Sequence, residues 1–219
     1  MFTPPRLDEQ ELLDEHDAPR ADMERSLRDL RRFNRYFGGV AAYRRLLMRF
    51  MPVRSIVDLG AGTADLLETV PGDVLRVAVD FKIDHLLYLR ERSRARRVVG
   101  DALRLPFRSN AVDIVTSSHF FHHFDADENS IILREALRVA KRGVAVTDTR
   151  RHYAPLLVTR LLAVLRLVGR ITQSDAPASI RRGYTLTEAR AVVESAGAAE
   201  AKVVRLFPFR FGILLWKSA

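Results

Sequence analysis

Short apolar runs alternate with helical patterns through most of this chain. Ser55 to Leu59 is one such run; it reads as a buried strand and ends in a glycine turn at Gly60 and Gly62. A helical pattern is predicted to follow from Ala64 to Val70. Further strand-length runs stand at Leu75 to Val79, at Arg97 to Val99, from Val112 onward and at Val144 to Thr147. Ahead of the first strand, Met23, Leu27 and Leu30, with Phe33 and Phe37 near the same face, predict a helix over Ala21 to Phe37. Gly38-Gly39 stops it, and a second helix runs from Val40 to Phe50 before Pro52. Asp125 and Glu128 form a capping-box pair, and the helix they open ends in a basic turn at Lys141-Arg142 and a stop at Gly143. Thr185 and Glu188 open another helix, which Gly197 ends. Two strand candidates, 201–206 and 209–216, close the chain, with Pro208 marking the turn between them. Strands and helices in this alternation predict an α/β fold.

Arg150 to Gly183 breaks the rhythm. Its centre reads as one apolar helix on which Thr159, Arg166 and Arg170 share a face, with Arg160 to the side. The remaining face carries Leu157, Leu161, Val164 and Val168. So apolar a face must be covered. The reading favoured is a cap that turns this face onto a pocket; a membrane surface comes second, and a homodimer contact is a third cover.

Composition narrows the choices. With 47% hydrophobic residues over 219 positions, the chain can bury the core of one domain behind an N-terminal arm. Residues Met1 to Pro19 are proline-rich and acidic, and are expected to be only partly ordered. There is no cysteine, which excludes disulfides, thiolate nucleophiles and cysteine-based metal sites. No signal peptide and no membrane-spanning run are read, so a cytoplasmic protein is expected. The net charge is +9, but the excess is almost all arginine, scattered and interleaved with acids such as Asp22, Glu24, Asp29 and Glu91. Nucleic acid is therefore not the favoured partner.

Chemistry enters at the strand ends. Gly60 and Gly62 let backbone approach a ligand closely. Asp80 stands about 20 residues beyond that turn, the spacing at which an acid takes ribose hydroxyls in a Rossmann-like crevice. A dinucleotide site would want a third glycine where Asp65 stands, so hydride transfer is disfavoured. The ordered set "VDLGAGTADL", "VAVDFK", "GDALRLPF" and "AVDIVTSSHFFHHF" resembles the class I S-adenosylmethionine (SAM) methyltransferases, from about Arg54 to the C-terminus.

That resemblance implies a Rossmann-like sheet, mostly parallel with an antiparallel last strand. It also implies a helical arm over 1–52, a SAM-dependent domain over 53–219 and a helical cap over 150–183. By the same resemblance, Asp58 orders the turn and reaches the methionine amino group, and Gly60, Ala61 and Gly62 pass under the cofactor. Asp80 takes the ribose, Phe81 lies against adenine, and Asp101 and Ala102 read the adenine edge. Ser117 and Ser118 sit beside the methionine. On the arm, Arg35 meets the cofactor carboxylate and Tyr36 lines the pocket. The acceptor implied is small and lipophilic, phenolic or polyketide-derived, methylated on oxygen in preference to carbon. A similarity to short bacterial enzymes with "DLRRxNRxxGG"-like arms and "HHF" after strand four points the same way.

Three histidines follow the fourth strand, near the reacting centre by topology. His119 and His123 are the first candidates for a general base and His122 the third; a structural role competes for each. Asp148, His152 and Tyr184 are secondary candidates. A metal site is not expected, because no carboxylate is paired with the histidines at fixed spacing. Two rival readings remain. An RNA methyltransferase is disfavoured by "TSSHFFHHF" where an Asn-Pro-Pro-Tyr type motif would stand. A non-catalytic SAM-binding partner is disfavoured by the intact motif set.

Overall fold

A computed structural model describes residues 3–7, 11–14, 19–88 and 93–217. Its centre is a seven-stranded sheet in the order β3-β2-β1-β4-β5-β7-β6. The strands are β1 (Ser55–Leu59), β2 (Leu75–Asp80), β3 (Arg96–Val99), β4 (Val112–Ser118), β5 (Ala140–Thr149), β6 (Glu200–Leu206) and β7 (Arg210–Trp216). All neighbours pair in parallel except β7, which runs antiparallel to both β5 and β6.

The register sets where chemistry can occur. Leu59 pairs with Val79 on one side and with Ser117 on the other. The glycine turn, Asp80 and the residues after β4 therefore reach one edge of the sheet together. Strand order reverses between β1 and β4, which opens a crevice at their carboxyl ends.

Helices cover both faces, so the central parallel strands are largely apolar, and β1 is wholly buried. Side chains alternate between two cores. Val57, Leu59, Val115 and Val144 pack with Phe121 and Leu133 on one face. Ile56, Ile114 and Ala145 pack with Tyr43, Leu46 and Phe50 on the other. The second core takes its covering from α2 (Gly39–Leu47) and the turn after it. Gly143 leaves room for that packing, because a side chain there would meet the Leu215 carbonyl and the Phe50 ring. α4 (Ala126–Val139) and α7 (Leu186–Ser195) begin at the two capping boxes legible in the sequence, Asp125 with Glu128 and Thr185 with Glu188.

Three expectations are corrected. No α-helix forms over Ala64–Val70: Ala64 is left-handed, at φ 50°, and only a 3-10 turn, Leu67–Thr69, follows. The segment is cut off by Pro71 before helix nucleation could be offset by further bonds. The glycine turn thus lacks a helix start to supply N–H donors. The insertion holds two helices, not one: α5 (Tyr153–Val164) and α6 (Arg170–Arg182), separated by a corner in which Arg166 is left-handed at φ 55°. Finally, the described part of the first 19 residues is tied down rather than loose. Arg6 lies over the Tyr184 ring, 4.5 Å from its centre, and donates to the Arg182 and Phe124 carbonyls. The backbone N–H groups of Leu12 and Leu13 each donate to Asp175, at 2.9 Å.

The remaining helices are α1 (Arg20–Tyr36) and the short α3 (Ile83–Leu87). Asp29 of α1 fixes the corner of the insertion. Its buried carboxylate accepts from Gly169 N–H at 2.7 Å and from Thr172 Oγ1 at 3.1 Å. Asp29→Ala leaves both donors unsatisfied and should cost about 1–3 kcal/mol. Urea unfolding should report that loss, and hydrogen exchange should place the opening at 165–172. Unchanged protection of that corner would show that it holds without Asp29.

Candidate active site

At the carboxyl ends of the parallel strands lies one cavity of about 660 Å³. One half is made by the strand-end turns: Gly60 and Gly62, Asp80 and Phe81, Asp101 and Ala102. Asp80 braces this half. Its Oδ2 accepts from Gly62 N–H and its Oδ1 from Lys82 N–H, both at 2.9 Å. Burial would raise its pKa, but His85 and those N–H donors outweigh burial and lower it. Gly60, at φ 61°, has a second requirement: a side chain there would strike the Phe120 ring.

Not every candidate faces the cavity. Asp58 is buried beneath the turn, accepting from Thr116 Oγ1 at 2.7 Å, with Tyr43 bonded to the same hydroxyl at 3.0 Å. Burial, against the Thr116 bond, raises Asp58 to about 7. Ala61 and Ser117 are buried in the wall, with Ser117 Oγ on the Leu59 carbonyl. Ser118 is also buried and does not line the cavity.

Arg35 and Tyr36 are corrected outright. Both are exposed and outside the cavity lining, with the Arg35 guanidinium over the Tyr36 ring. Helix α1 instead presents Leu27, Leu30, Phe33 and Phe37, the apolar stripe that predicted the helix. These side chains, with Phe124, Val158, Ile180 and Phe209, make the other half of the cavity apolar. The cation that reaches the lining near them is Arg210, which sequence reading did not single out.

Between the halves stand the histidines. His119 lines the cavity, left-handed at φ 56° and held by its N–H on the Thr147 carbonyl. Its Nδ1 lies 3.5 Å from Asp148 Oδ1 and 3.3 Å from Thr149 Oγ1. His123 also lines the cavity. His122 does not: it is wholly buried, with Nδ1 3.0 Å from both Asp148 oxygens and Nε2 3.3 Å from Glu11 Oε1. Burial lowers an imidazole pKa, but Asp148 and Glu11 together overcome it and raise His122 to about 10. The pairing works in both directions. Burial would raise Asp148 and Glu11, yet the His122 charge holds both well below the usual carboxylate range. His119 moves the other way, lowered by burial and by the His122 charge against the pull of Asp148. At neutral pH the cluster therefore holds a charged His122 between two carboxylates and a neutral His119 facing the cavity.

Two of those carboxylates were not foreseen as partners. The expectation that the histidines lack paired acids is corrected: Glu11, His122 and His123 form one close group, and His119, His122 and Asp148 another. A cation entering either group would have to displace the His122 proton, because an imidazolium offers no lone pair. His152 serves as the cap of α5, its Nδ1 accepting from Ala154 N–H. Tyr184 is tied to Arg6, Asn129 and the Phe124 carbonyl. Glu11 had no visible signal, since it stands in an acidic stretch without periodicity.

A doubly covered, largely parallel sheet with a crevice at its order reversal defines a Rossmann-like α/β protein with a nucleoside-sized site. Comparisons narrow this further. The family described as "Methyltransferase domain" matches residues 57–147. The demethylmenaquinone methyltransferase of Mycobacterium sp. (strain JLS) is 32% identical over 155 residues, covering 68% of this chain and 65% of its own length. That of Mycobacterium marinum is 31% identical over 163 residues, covering 71% of this chain and 68% of its own. The chain thus matches just under two thirds of the length of the first of these relatives. Among solved structures, a SAM-dependent methyltransferase from Aquifex aeolicus superposes with a TM-score of 0.62 at 18% identity, over 88% of this chain and 98% of that one. Human N-acetylserotonin methyltransferase in complex with SAM gives 0.64 at 16% identity, over 92% and 57%. The chain belongs to the class I SAM-dependent methyltransferases, and SAM is the cofactor of that family.

The His122 cluster carries a pH signature. Its folded pKa, about 10, is above the unfolded value of about 6.5. Its contribution is complete below about 6.5 and is lost as pH rises toward 10. Urea unfolding between pH 6.5 and 10 should show stability falling with pH in the wild type and falling less in His122→Gln. Parallel curves for the two proteins would mean that His122 is neutral in the folded state.

Proposed function

We propose that this chain transfers the methyl group of SAM to a small, lipophilic acceptor with an acidic hydroxyl or carbon. The observation that carries the reading is that the Asp80 turn and an apolar chamber meet at His119 within one cavity. The residues fit the cofactor: Gly60, Ala61 and Gly62 give it backbone to lie along, and Asp80 offers carboxylate oxygens to its ribose. Phe81 offers a ring to adenine, with Asp101 and Ala102 at the adenine edge. Asp58 and Ser117 order the turn from behind, with Asp58 nearest the methionine amino group and Ser117 or Ser118 beside the methionine in this reading.

SAM supplies an electrophilic methyl on a sulfonium, so the protein has little bond chemistry of its own to perform. Positioning and exclusion of water carry most of the work. The arm over 1–52 and the cap over 150–183 close the 53–219 domain in this account. Where the acceptor proton must leave, neutral His119 takes it on the ring nitrogen away from Asp148. Asp148 orients that ring, and His122 keeps it neutral by charge. His123 lines the chamber as a second candidate. O-methylation is favoured, with C-methylation as the other outcome. The names of the mycobacterial relatives support a lipophilic acceptor. The apolar chamber argues against RNA, and no helix of the described residues is long and apolar enough to cross a membrane. A cytoplasmic location belongs to the same proposal.

Asp80→Ala should weaken SAM binding by about 1.5–3 kcal/mol in calorimetry, the loss of a charged hydrogen-bond partner. His119→Ala should lower kcat while leaving SAM affinity within about threefold, with the acid limb of the pH–rate profile lost. Full turnover by His119→Ala across pH 6–9 would place the base elsewhere or remove the need for one.

A specific observation supports membrane contact. The face of α5 read as closing the pocket points outward: Leu157, Leu161 and Val164 are 64%, 58% and 79% exposed. Thr159 is buried on the cavity side, because its hydroxyl donates back to the Leu156 carbonyl and needs no water. Exposed Arg160, Arg166 and Arg170 flank this ridge, and no acid occurs between Tyr153 and Ser174. Apolar side chains beside unopposed arginines suit an anionic bilayer surface. A two-fold contact between copies would bring like charges together. Vesicles containing phosphatidylglycerol should therefore bind the wild type, and Leu161→Asp should lose about tenfold in partitioning without losing SAM affinity. A wild-type dimer that Leu161→Asp converts to monomer would assign the ridge to self-association instead.

A further inference from the structure

Arg210 opens β7 at the rim of the cavity, beside Thr149 of β5 and Leu206 of β6. It is 5% exposed. Among the described residues its side chain donates from Nε to the Phe37 carbonyl at 3.4 Å, the outer limit of such a bond. Nη1 is buried with no hydrogen-bond partner among the described residues. The carboxylate whose charge acts on it is Asp148, and the Asp148 oxygens are taken by His122 and by Thr149 N–H.

Arg150 Nε and Arg151 Nε and Nη1 are likewise buried without a hydrogen-bond partner among the described residues, but of these three side chains Arg210 alone lines the cavity. Arg76, by contrast, donates to four carbonyls, those of Leu67, Val74, Val70 and Gly72. Arg151 is paired with Glu188. Arg150, also buried, lies over the Phe209 ring and does not line the cavity. A guanidinium is costly to bury unpaired and presents a rigid fork of donors suited to an anionic oxygen. Arg210 and Lys82 are the two Lys or Arg residues in the cavity lining; the Lys82 ammonium donates to the Leu13 carbonyl at the Asp80 end. Arg210 stands at the other end, within electrostatic reach of His119.

We propose that Arg210 is an anion-binding point of this cavity, taking an anionic oxygen of a bound ligand. Two groups in the proposed reaction carry that chemistry: the methionine carboxylate of the cofactor, and the phenolate or enolate oxygen of an ionised acceptor. This rests on the proposed methyl transfer for the identity of the ligands, while the unpaired guanidinium itself does not depend on it. In place of Arg35, it gives the cavity a cation where an anion can be reached.

Calorimetry separates the sources. Arg210→Met keeps the length of the side chain and removes the charge. It is titrated with S-adenosylhomocysteine and with its decarboxylated analogue. In the presence of S-adenosylhomocysteine it is then titrated with 2-naphthol and with 2-methoxynaphthalene. The expected result is a loss of about tenfold or more for the acidic member of one pair, with the neutral member within about threefold. Loss with S-adenosylhomocysteine assigns Arg210 to the cofactor carboxylate, and loss with 2-naphthol assigns it to the acceptor. Equal changes within both pairs would overturn the proposal and leave Arg210 a packing residue. Should Arg210→Met fail to fold, Arg210→Lys tests the same point: it should lose at least threefold for the acidic member of one pair, and no selective loss overturns the proposal. A wild type that binds no S-adenosylhomocysteine would instead sink the methyltransferase reading.

Discussion

The Asp148 carboxylate is the constraint on which the site is built. It is wholly buried at the end of β5, where an unpaired charge could not persist. Every group that compensates it is thereby fixed in place. The His122 ring reaches both oxygens; its backbone N–H holds one, and Thr149 N–H and the His119 ring approach the other. His122 in turn needs a second counter-charge on its far nitrogen, and Glu11 supplies it from 111 residues earlier in the chain. Removing Asp148 would leave an imidazolium without its main partner and the loop after β4 without its anchor. The neutral, cavity-facing state of His119 is a consequence of the same arrangement, because the nearest positive charge is one that Asp148 itself stabilises.

What was legible in the sequence is what local physics determines. Strands buried on both faces must be short apolar runs, and 55–59, 75–79 and the run from Val112 show this without ambiguity. Capping boxes are read from four residues, so α4 and α7 could be started at the correct residue. Gly62 and Asp80 meet because parallel register brings the ends of β1 and β2 level, which chain spacing alone anticipates. The fold and the Asp80 half of the cavity follow from these.

The apolar half was not legible, for the opposite reason. Which face of α5 turns inward depends on what it packs against, and a threonine that bonds its own helix is no marker of solvent. Arg35 and Arg210 look alike in sequence, but one lies on the outer side of α1 and the other beneath Phe37. Glu11 and His122 are joined only through tertiary contact. Pairs of this kind have no periodicity to betray them, and their types, Glu, Arg and His, are commonest on solvated surfaces. The helix missing after the glycine turn is a milder case, in which Pro71 and a left-handed Ala64 outweighed an apolar pattern too short to propagate.

The N-terminal segment links the two halves. Leu12 and Leu13 donate to Asp175 of the cap, the Leu13 carbonyl accepts from Lys82 beside Asp80, and Glu11 faces His122 beneath the chamber. A segment with these three attachments lies against both halves of the cavity at once. Lifting it would free the cavity lining at Glu11 and Leu13 and, in the same movement, strip His122 of one of its two counter-charges. With that counter-charge gone His122 would hold its proton less firmly, and loss of the His122 charge would remove one cause that keeps His119 neutral. Access to the cavity and the proton balance of its histidines are therefore not independent properties of this fold, because one short stretch of backbone supplies the contacts that govern both.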